Sequence, residues 1–236
     1  MFDHVTIRVS DLEASRRFYD LALPGEPATD GHFFEWDDFS IAEGRPPTRN
    51  LHVAFVAQSR EAVDDWWRAM TGSGYRDDGE PGPRPRYSRD YYGGFVLDPD
   101  SNSVEAMHSG RARDGDNRID HLWIRVEDLE ASKRFYEAVG PFGGFVLADE
   151  WPEGRHFRGG GRSFSVVDDD RPRTENLHLA FPAADDATVD EFHRALVAAG
   201  YRDNGSPGER HYHPGYYGAF VLDPDGNNVE IVCHNR

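Results

Sequence analysis

The chain has 236 residues and a net charge of −17, with 43 Asp and Glu against 26 Lys and Arg, so nucleic acid and anionic membranes are not expected as partners. Hydrophobic residues make up 38% and aromatic residues 13%, enough to fill a folded core, and the length suits two domains of ordinary size. A single cysteine, Cys233, leaves no intrachain disulfide and no cysteine-built zinc or iron–sulfur site, so a bound metal would have to use His, Asp or Glu.

At the N-terminus, polar and aliphatic residues alternate from His4 to Val9, which predicts a strand and not a secretion signal. No apolar run approaches the roughly 20 residues that cross a bilayer, and a cytoplasmic location is expected. Asp11 then stands where it caps a helix ending near Leu21. Residues 52–56 alternate as a second strand, and within 59–70 Val63, Trp66, Trp67 and Met70 share one helical face. Phe95 to Leu97, an Asp98-Pro99-Asp100 turn and Val104 to Met107 read as two strands joined by a tight connection.

The order then begins again. Segment 3–19, DHVTIRVSDLEASRRFY, returns at 120–136 as DHLWIRVEDLEASKRFY, with Asp128 capping a helix that ends near Val139. NLHVAF at 50–55 returns as NLHLAF at 176–181, and YYGGFVLDPD at 91–100 returns as YYGAFVLDPD at 216–225. A repeat this long exceeds solenoid units, so a whole domain is duplicated: residues 1–109, a polar linker at 110–117, and residues 118–236. Each copy contains two strand–helix–strands units, and the chain four.

Strand alternation sorts the side chains by face. Val5, Ile7 and Val9 form the face that helices must cover, with His4, Thr6 and Arg8 opposite. By the same count His52 and Glu105 lie away from the helices, so the first copy offers His4, His52 and Glu105 and the second His121, His178 and Glu230. Two imidazoles and a carboxylate leave coordination positions open, which suits Fe(II) first and also admits Mn, Ni, Zn or Co.

These residues resemble the vicinal oxygen chelate superfamily, which contains glyoxalase I, extradiol dioxygenases, and fosfomycin- and bleomycin-resistance proteins. HVTIRVSDLEAS at 4–15 with Phe18-Tyr19 is similar to the family's first strand and helix, and DPDGNNVE at 223–230 to its closing turn and strand, whose glutamate is commonly a metal ligand. The resemblance implies an α+β fold of four βαβββ modules, their mixed sheets cup-shaped with helices on the outer face. It also implies a small-molecule site, often with a divalent metal holding adjacent substrate oxygens. Where glyoxalase I carries a further glutamate, the segments 39–43 and 164–168 offer Ser, Ala and Val on the ligand face. Extradiol dioxygenases are more similar in using four modules and a His, His, Glu set in the C-terminal half, here His121, His178 and Glu230, although Phe95 and Phe220 stand where their pattern has tyrosine.

Further acid–base candidates lie in the segment 210–217, RHYHPGYY, where His213 corresponds to Ser88 of the first copy. His213 and Tyr217 are expected at the pocket rim to move a substrate proton or orient a bound anion, and Arg125 to attract a carboxylate or enolate. Cys233 shares its strand face with Val229 and Ile231 and is assigned to packing. The expected function is a metal-dependent enzyme acting on a small oxygenated organic substrate, as monomer or homodimer. The alternative is a non-catalytic drug- or metabolite-binding protein of the bleomycin-resistance type, for which Trp36, Trp66, Trp67, Trp123 and Trp151 supply aromatic surface.

Overall fold

Each helix in this chain starts at a side chain that satisfies an orphan backbone N–H. Asp11, Ser59, Asp128 and Asp185 accept from Ala14, Ala62, Ala131 and Thr188, three residues on. The computed structural model describes residues 1–110 and 118–235, so the expected linker, Gly110 apart, lies outside the described residues.

A strand, a capped helix and three more strands occur four times in order: β1 (His4–Val9), α1 (Leu12–Ala22), β2 (Ala28–Thr29), β3 (Phe33–Trp36) and β4 (Phe39–Glu43); β5 (His52–Val56), α2 (Arg60–Gly72), β6 (Asp77–Pro83), β7 (Tyr92–Leu97) and β8 (Ser103–His108); β9 (Ile119–Arg125), α3 (Leu129–Gly143), β10 (Val146–Trp151), β11 (Gly154–Gly159) and β12 (Arg162–Val167); β13 (Leu177–Pro182), α4 (Asp186–Ala198), β14 (Arg202–Glu209), β15 (Tyr216–Leu222) and β16 (Asn228–His234). These are the four βαβββ modules expected. α3 runs past Val139 to Gly143 because Gly144, at φ +69°, supplies the left-handed residue that ends it. Among the described residues no helix is long and apolar enough to cross a membrane.

The strands form two eight-stranded mixed sheets, ordered β14-β15-β16-β13-β1-β4-β3-β2 and β10-β11-β12-β9-β5-β8-β7-β6. β5 pairs with β8 and β13 with β16 in parallel, whereas β6–β7–β8, β10–β11–β12 and β14–β15–β16 are antiparallel. The chain divides into two compact units, Ile7–Leu122 and Met1–Thr6 with Trp123–Arg236. Units and sequence repeats thus differ at two places: the opening residues of β1 go with the second repeat, and the start of β9 with the first.

In the unit Ile7–Leu122, Phe18, Tyr19, Phe39, Val53, Val63 and Met70 are fully buried, with the Tyr19 ring 4.9 Å from Phe39 and Phe39 5.1 Å from Phe55. Trp66 and Trp67 share the helix with Val63 and Met70 but stay half-buried, and their indole N–H groups donate to the Ala22 carbonyl and to Asp77. The other unit buries Phe135, Tyr136, Phe157, Phe164, Phe181 and Phe192, with Phe157 and Phe164 stacked at 4.9 Å.

The Asp-Pro-Asp turns lock each antiparallel pair to a helix. Asp98 Oδ1 accepts from the backbone N–H groups of Asp100 and Asn102, and Oδ2 from the Tyr19 hydroxyl at 3.0 Å and the Asn102 amide at 3.0 Å. Asp223 repeats the pattern with Asp225, Asn227 and the Tyr136 hydroxyl. Asn102 and Asn227 also accept from the N–H groups of Leu51 and Leu177, tying the turn to the start of β5 or β13. Tyr19→Phe or Tyr136→Phe should each cost about 1–3 kcal/mol in urea unfolding by leaving a buried carboxylate short of a donor.

Burial pushes the carboxyls of Asp98 and Asp223 up to about 6, against the opposing hydrogen bonds from Asn102 and Tyr19 and from Asn227 and Tyr136. The native state then keeps protons that the unfolded chain loses near 3.8, so the stability contributed by the protonated carboxyls falls as pH rises from about 4 through 6. Carboxyl-detected NMR should find both midpoints near 6, and midpoints near 4 would overturn this assignment.

Candidate metal centres

In the unit Met1–Thr6 with Trp123–Arg236, the parallel register of β13 and β16 sets His178 opposite Asn228 and Ala180 opposite Glu230. The Asp3 N–H donates to the Ala180 carbonyl at 2.9 Å, which lays the start of β1 along β13 and brings His4 onto the same face. His4 Nε2 lies 3.1 Å from His178 Nε2 and 3.8 Å from Glu230 Oε2, and His178 Nε2 lies 3.1 Å from the same oxygen.

The unit Ile7–Leu122 builds the matching group. β5 and β8 pair with His52 opposite Ser103 and Ala54 opposite Glu105, and the Val56 N–H donates to the Arg118 carbonyl, which sets the start of β9 beside β5. His52 Nε2 and His121 Nε2 stand 3.1 Å and 3.7 Å from Glu105 Oε2.

The outer side of each group decides what the inner side can hold. Asp3 Oδ1 accepts from His4 Nδ1 at 2.9 Å, and Asp120 Oδ1 from His121 Nδ1 at 2.8 Å, so both rings turn an Nε2 lone pair inward. Ser103 donates its hydroxyl to Asp78 and therefore accepts from His52 Nδ1 at 3.2 Å, with the same result. The Asn228 amide N–H donates to His178 Nδ1 at 2.6 Å, so this ring carries its proton on Nε2, 3.1 Å from Glu230 Oε2, and offers Nε2 to an ion only if the amide turns its oxygen to Nδ1. Glu230 and Glu105 are each 1% exposed, and the hydroxyls of Tyr216 and Tyr91 donate to their Oε1 atoms at 2.7 and 2.8 Å, which leaves Oε2 facing the histidines.

Lone pairs converging on one point repel unless a cation or proton lies between them. Donors sharing an ion at about 2.1 Å stand roughly 3 Å apart, so these separations and this N, N, O chemistry fit a divalent metal. In each group the three candidate donor atoms lie within 4.8 Å of one another.

Electrostatics and sterics hold the donors in place. Burial pushes the Asp3 carboxyl up, but hydrogen bonds and charge from His4 and His234 outweigh it and hold it below the ordinary aspartate value. Burial, reinforced by the adjacent Glu105 or Glu230, pushes the phenols of Tyr91 and Tyr216 far above the usual tyrosine range, so both remain hydrogen-bond donors at neutral pH. A Cβ on Gly218 would come within 2.5 Å of Glu230 Oε1, and one on Gly93 within 2.1 Å of Glu105 Oε1, so each carboxylate occupies space that only glycine leaves on the adjacent strand.

The structure regroups the six expected ligands. His4 joins His178 and Glu230, and His121 joins His52 and Glu105, in place of one set per sequence copy. The reason is topological: β1 neighbours β13 and β9 neighbours β5, so each repeat's first strand is added beside the other repeat's second module.

Tyr217 does not face the centre, because alternation along β15 turns it to the helix side, where it donates to Asp190 of α4 at 2.8 Å. Its neighbour Tyr216 is the phenol on the glutamate. Counting by twos from Phe220, which pairs with Glu230, would have found it. Arg125 is buried and paired with Asp169 at 3.1 Å near the end of β9, which assigns it to an internal ion pair. His213 lies outside the triad, with Nε2 2.8 Å from His234 Nδ1. His234 also lies on the ligand face, four residues beyond Glu230, a spacing visible in the sequence.

Residues 1–106 and 118–231 match the model of the Glyoxalase/Bleomycin resistance protein/Dioxygenase superfamily. Glyoxalase I from Zea mays superposes with a TM-score of 0.71 over 99% of this chain and 92% of that one, at 18% identity, which establishes likeness of fold. The uncharacterized protein YqjT of Bacillus subtilis (strain 168) is 31% identical over 127 residues, 48% of this chain and 96% of that protein. With a family match across both repeats and four βαβββ modules, this chain belongs to the Glyoxalase/Bleomycin resistance protein/Dioxygenase superfamily.

Proposed function

We propose that this chain is a divalent-metal-dependent enzyme that binds a small oxygenated organic molecule through two adjacent oxygens, with Fe(II) the preferred ion. The observation that carries the reading is the pair of His, His, Glu groups whose Nε2 atoms converge on a carboxylate oxygen, with His4, His52 and His121 held from behind through Nδ1. His4, His178 and Glu230 would hold one ion, and His52, Glu105 and His121 the other. A bound ion supplies positive charge to two vicinal oxygens and stabilises an enediolate- or catecholate-like anion.

The protein's own groups then do the rest. Tyr216 and Tyr91 hold one oxygen of each glutamate and keep the other aimed at the ion, while Asp3 and Asp120 fix the rotation of the first-strand histidines. Three protein donors leave open positions for both substrate oxygens, which distinguishes these groups from closed structural sites.

Metal titration followed by elemental analysis should find two ions per chain, one lost with Glu105→Ala, the other with Glu230→Ala, and both lost in the double variant. Acetohydroxamate, a bidentate probe, should shift the visible bands of the Co(II)-loaded protein. A chain that takes up none of Fe(II), Mn(II), Co(II), Ni(II) or Zn(II) would defeat this proposal and direct attention to the sequestering alternative, read by ligand-induced tryptophan fluorescence.

Gly218→Ala should displace the Glu230 carboxylate and weaken one of the two sites about 10-fold or more while circular dichroism stays unchanged. Two undisturbed binding steps in that variant would mean that the glutamate is not a ligand there.

A further inference from the structure

Behind the metal-ligand group of the unit Met1–Thr6 with Trp123–Arg236 runs an unbroken line of side chains from the half-exposed turn before β15. His213 Nδ1 donates to the Pro214 carbonyl at 2.9 Å, and its Nε2 lies 2.8 Å from His234 Nδ1, a hydrogen bond made when one proton is shared between the two rings, which stack at 5.0 Å. His234 Nε2 in turn donates to Asp3 Oδ2 at 2.9 Å, and Asp3 Oδ1 accepts from His4 Nδ1 at 2.9 Å. The Tyr216 ring stands edge-on to His234 at 5.2 Å, and its hydroxyl holds Glu230. Thus His234 touches the supports of two ligands while itself lying outside the ligand group.

The arrangement belongs to one unit. The Asp–His pair is common to both units, at Asp3–His4 and Asp120–His121, with bonds of 2.9 and 2.8 Å. The two outer histidines are not: aligning Tyr216 with Tyr91 and Glu230 with Glu105 places Ser88 at the position of His213 and Ser109 at that of His234.

A carboxylate that accepts on both oxygens is restrained at both ends. With His234 donating to Oδ2, Asp3 is held so that Oδ1 fixes the rotation of the His4 ring; without that donor, the carboxylate can turn about χ2 and release the imidazole. We propose that His234, held by His213, is a positioning residue for His4, acting through Asp3, and that it controls metal affinity at this centre and not at the other.

The inference rests on the metal-binding reading above, and it is tested on chains reduced to one centre, with Co(II) as the probe. In a Glu105→Ala chain, which keeps His4, His178 and Glu230, His234→Leu should weaken Co(II) binding about 10- to 100-fold and alter the visible bands. His234→Gln, whose amide N–H reaches toward Asp3, should recover most of that loss, and His213→Ala should give a smaller loss. In a Glu230→Ala chain, which keeps His52, Glu105 and His121, His234→Leu should change nothing.

Co(II) affinity within twofold of the parent for His234→Leu in the Glu105→Ala chain would overturn the proposal. So would a His234→Gln variant as weak as His234→Leu, since the ring would then matter only for packing. Failure of the Glu105→Ala parent to bind Co(II) would overturn the metal reading itself, and this inference with it.

Discussion

The grouping of two histidines with each buried glutamate depends on where the first strand of each repeat hydrogen-bonds. The bond from Asp3 N–H to the Ala180 carbonyl, and that from Val56 N–H to the Arg118 carbonyl, add β1 to β13 and β9 to β5. Because side chains alternate along a strand, that placement carries His4 to His178 and Glu230, and His121 to His52 and Glu105. A one-residue slip would turn both histidines to the helix side and leave each glutamate with one imidazole.

Buried carboxylates are the recurrent expense of this architecture, and each is offset by donors. Glu105 and Glu230 receive a tyrosine hydroxyl and face two imidazoles, while Asp98 and Asp223 receive two backbone N–H groups, an amide and a tyrosine hydroxyl. The first pair aims an oxygen into a site; the second pins a turn. Both jobs use the same chemistry, and the difference lies in whether the remaining lone pairs meet further donors of the turn or face the two imidazoles of a candidate metal group. The Phe-Tyr pairs that end the first helical motif therefore have distinct duties. Phe18 and Phe135 fill the core, and Tyr19 and Tyr136 hold the turns that close β7–β8 and β15–β16.

The two centres share a plan but differ in their supports. His52 leans on Ser103 and Asp78, whereas His178 meets Asn228. His4 is backed by Asp3 and the two outer histidines, whereas His121 is backed by Asp120. The duplicated sequence carries two His, His, Glu sets, and the two units differ in the residues that back them.

Local and repeating features of the sequence carried most of the fold. Asp11 and Asp128 marked the helix starts, alternation marked β1, β5 and their counterparts, and the duplicated segments announced four modules. The same alternation placed all six candidate ligands on the face where the structure has them, because a strand's period of two is a property of the backbone. It also contained Tyr216 and His234, had the count been carried along β15 and β16. What only the tertiary structure decided was partnership: which histidine meets which glutamate, that Tyr217 turns to Asp190, and that Arg125 is taken by Asp169. Those outcomes depend on strand order and on contacts between residues far apart in the chain, and alternation within one strand contains no information about which strand lies beside it.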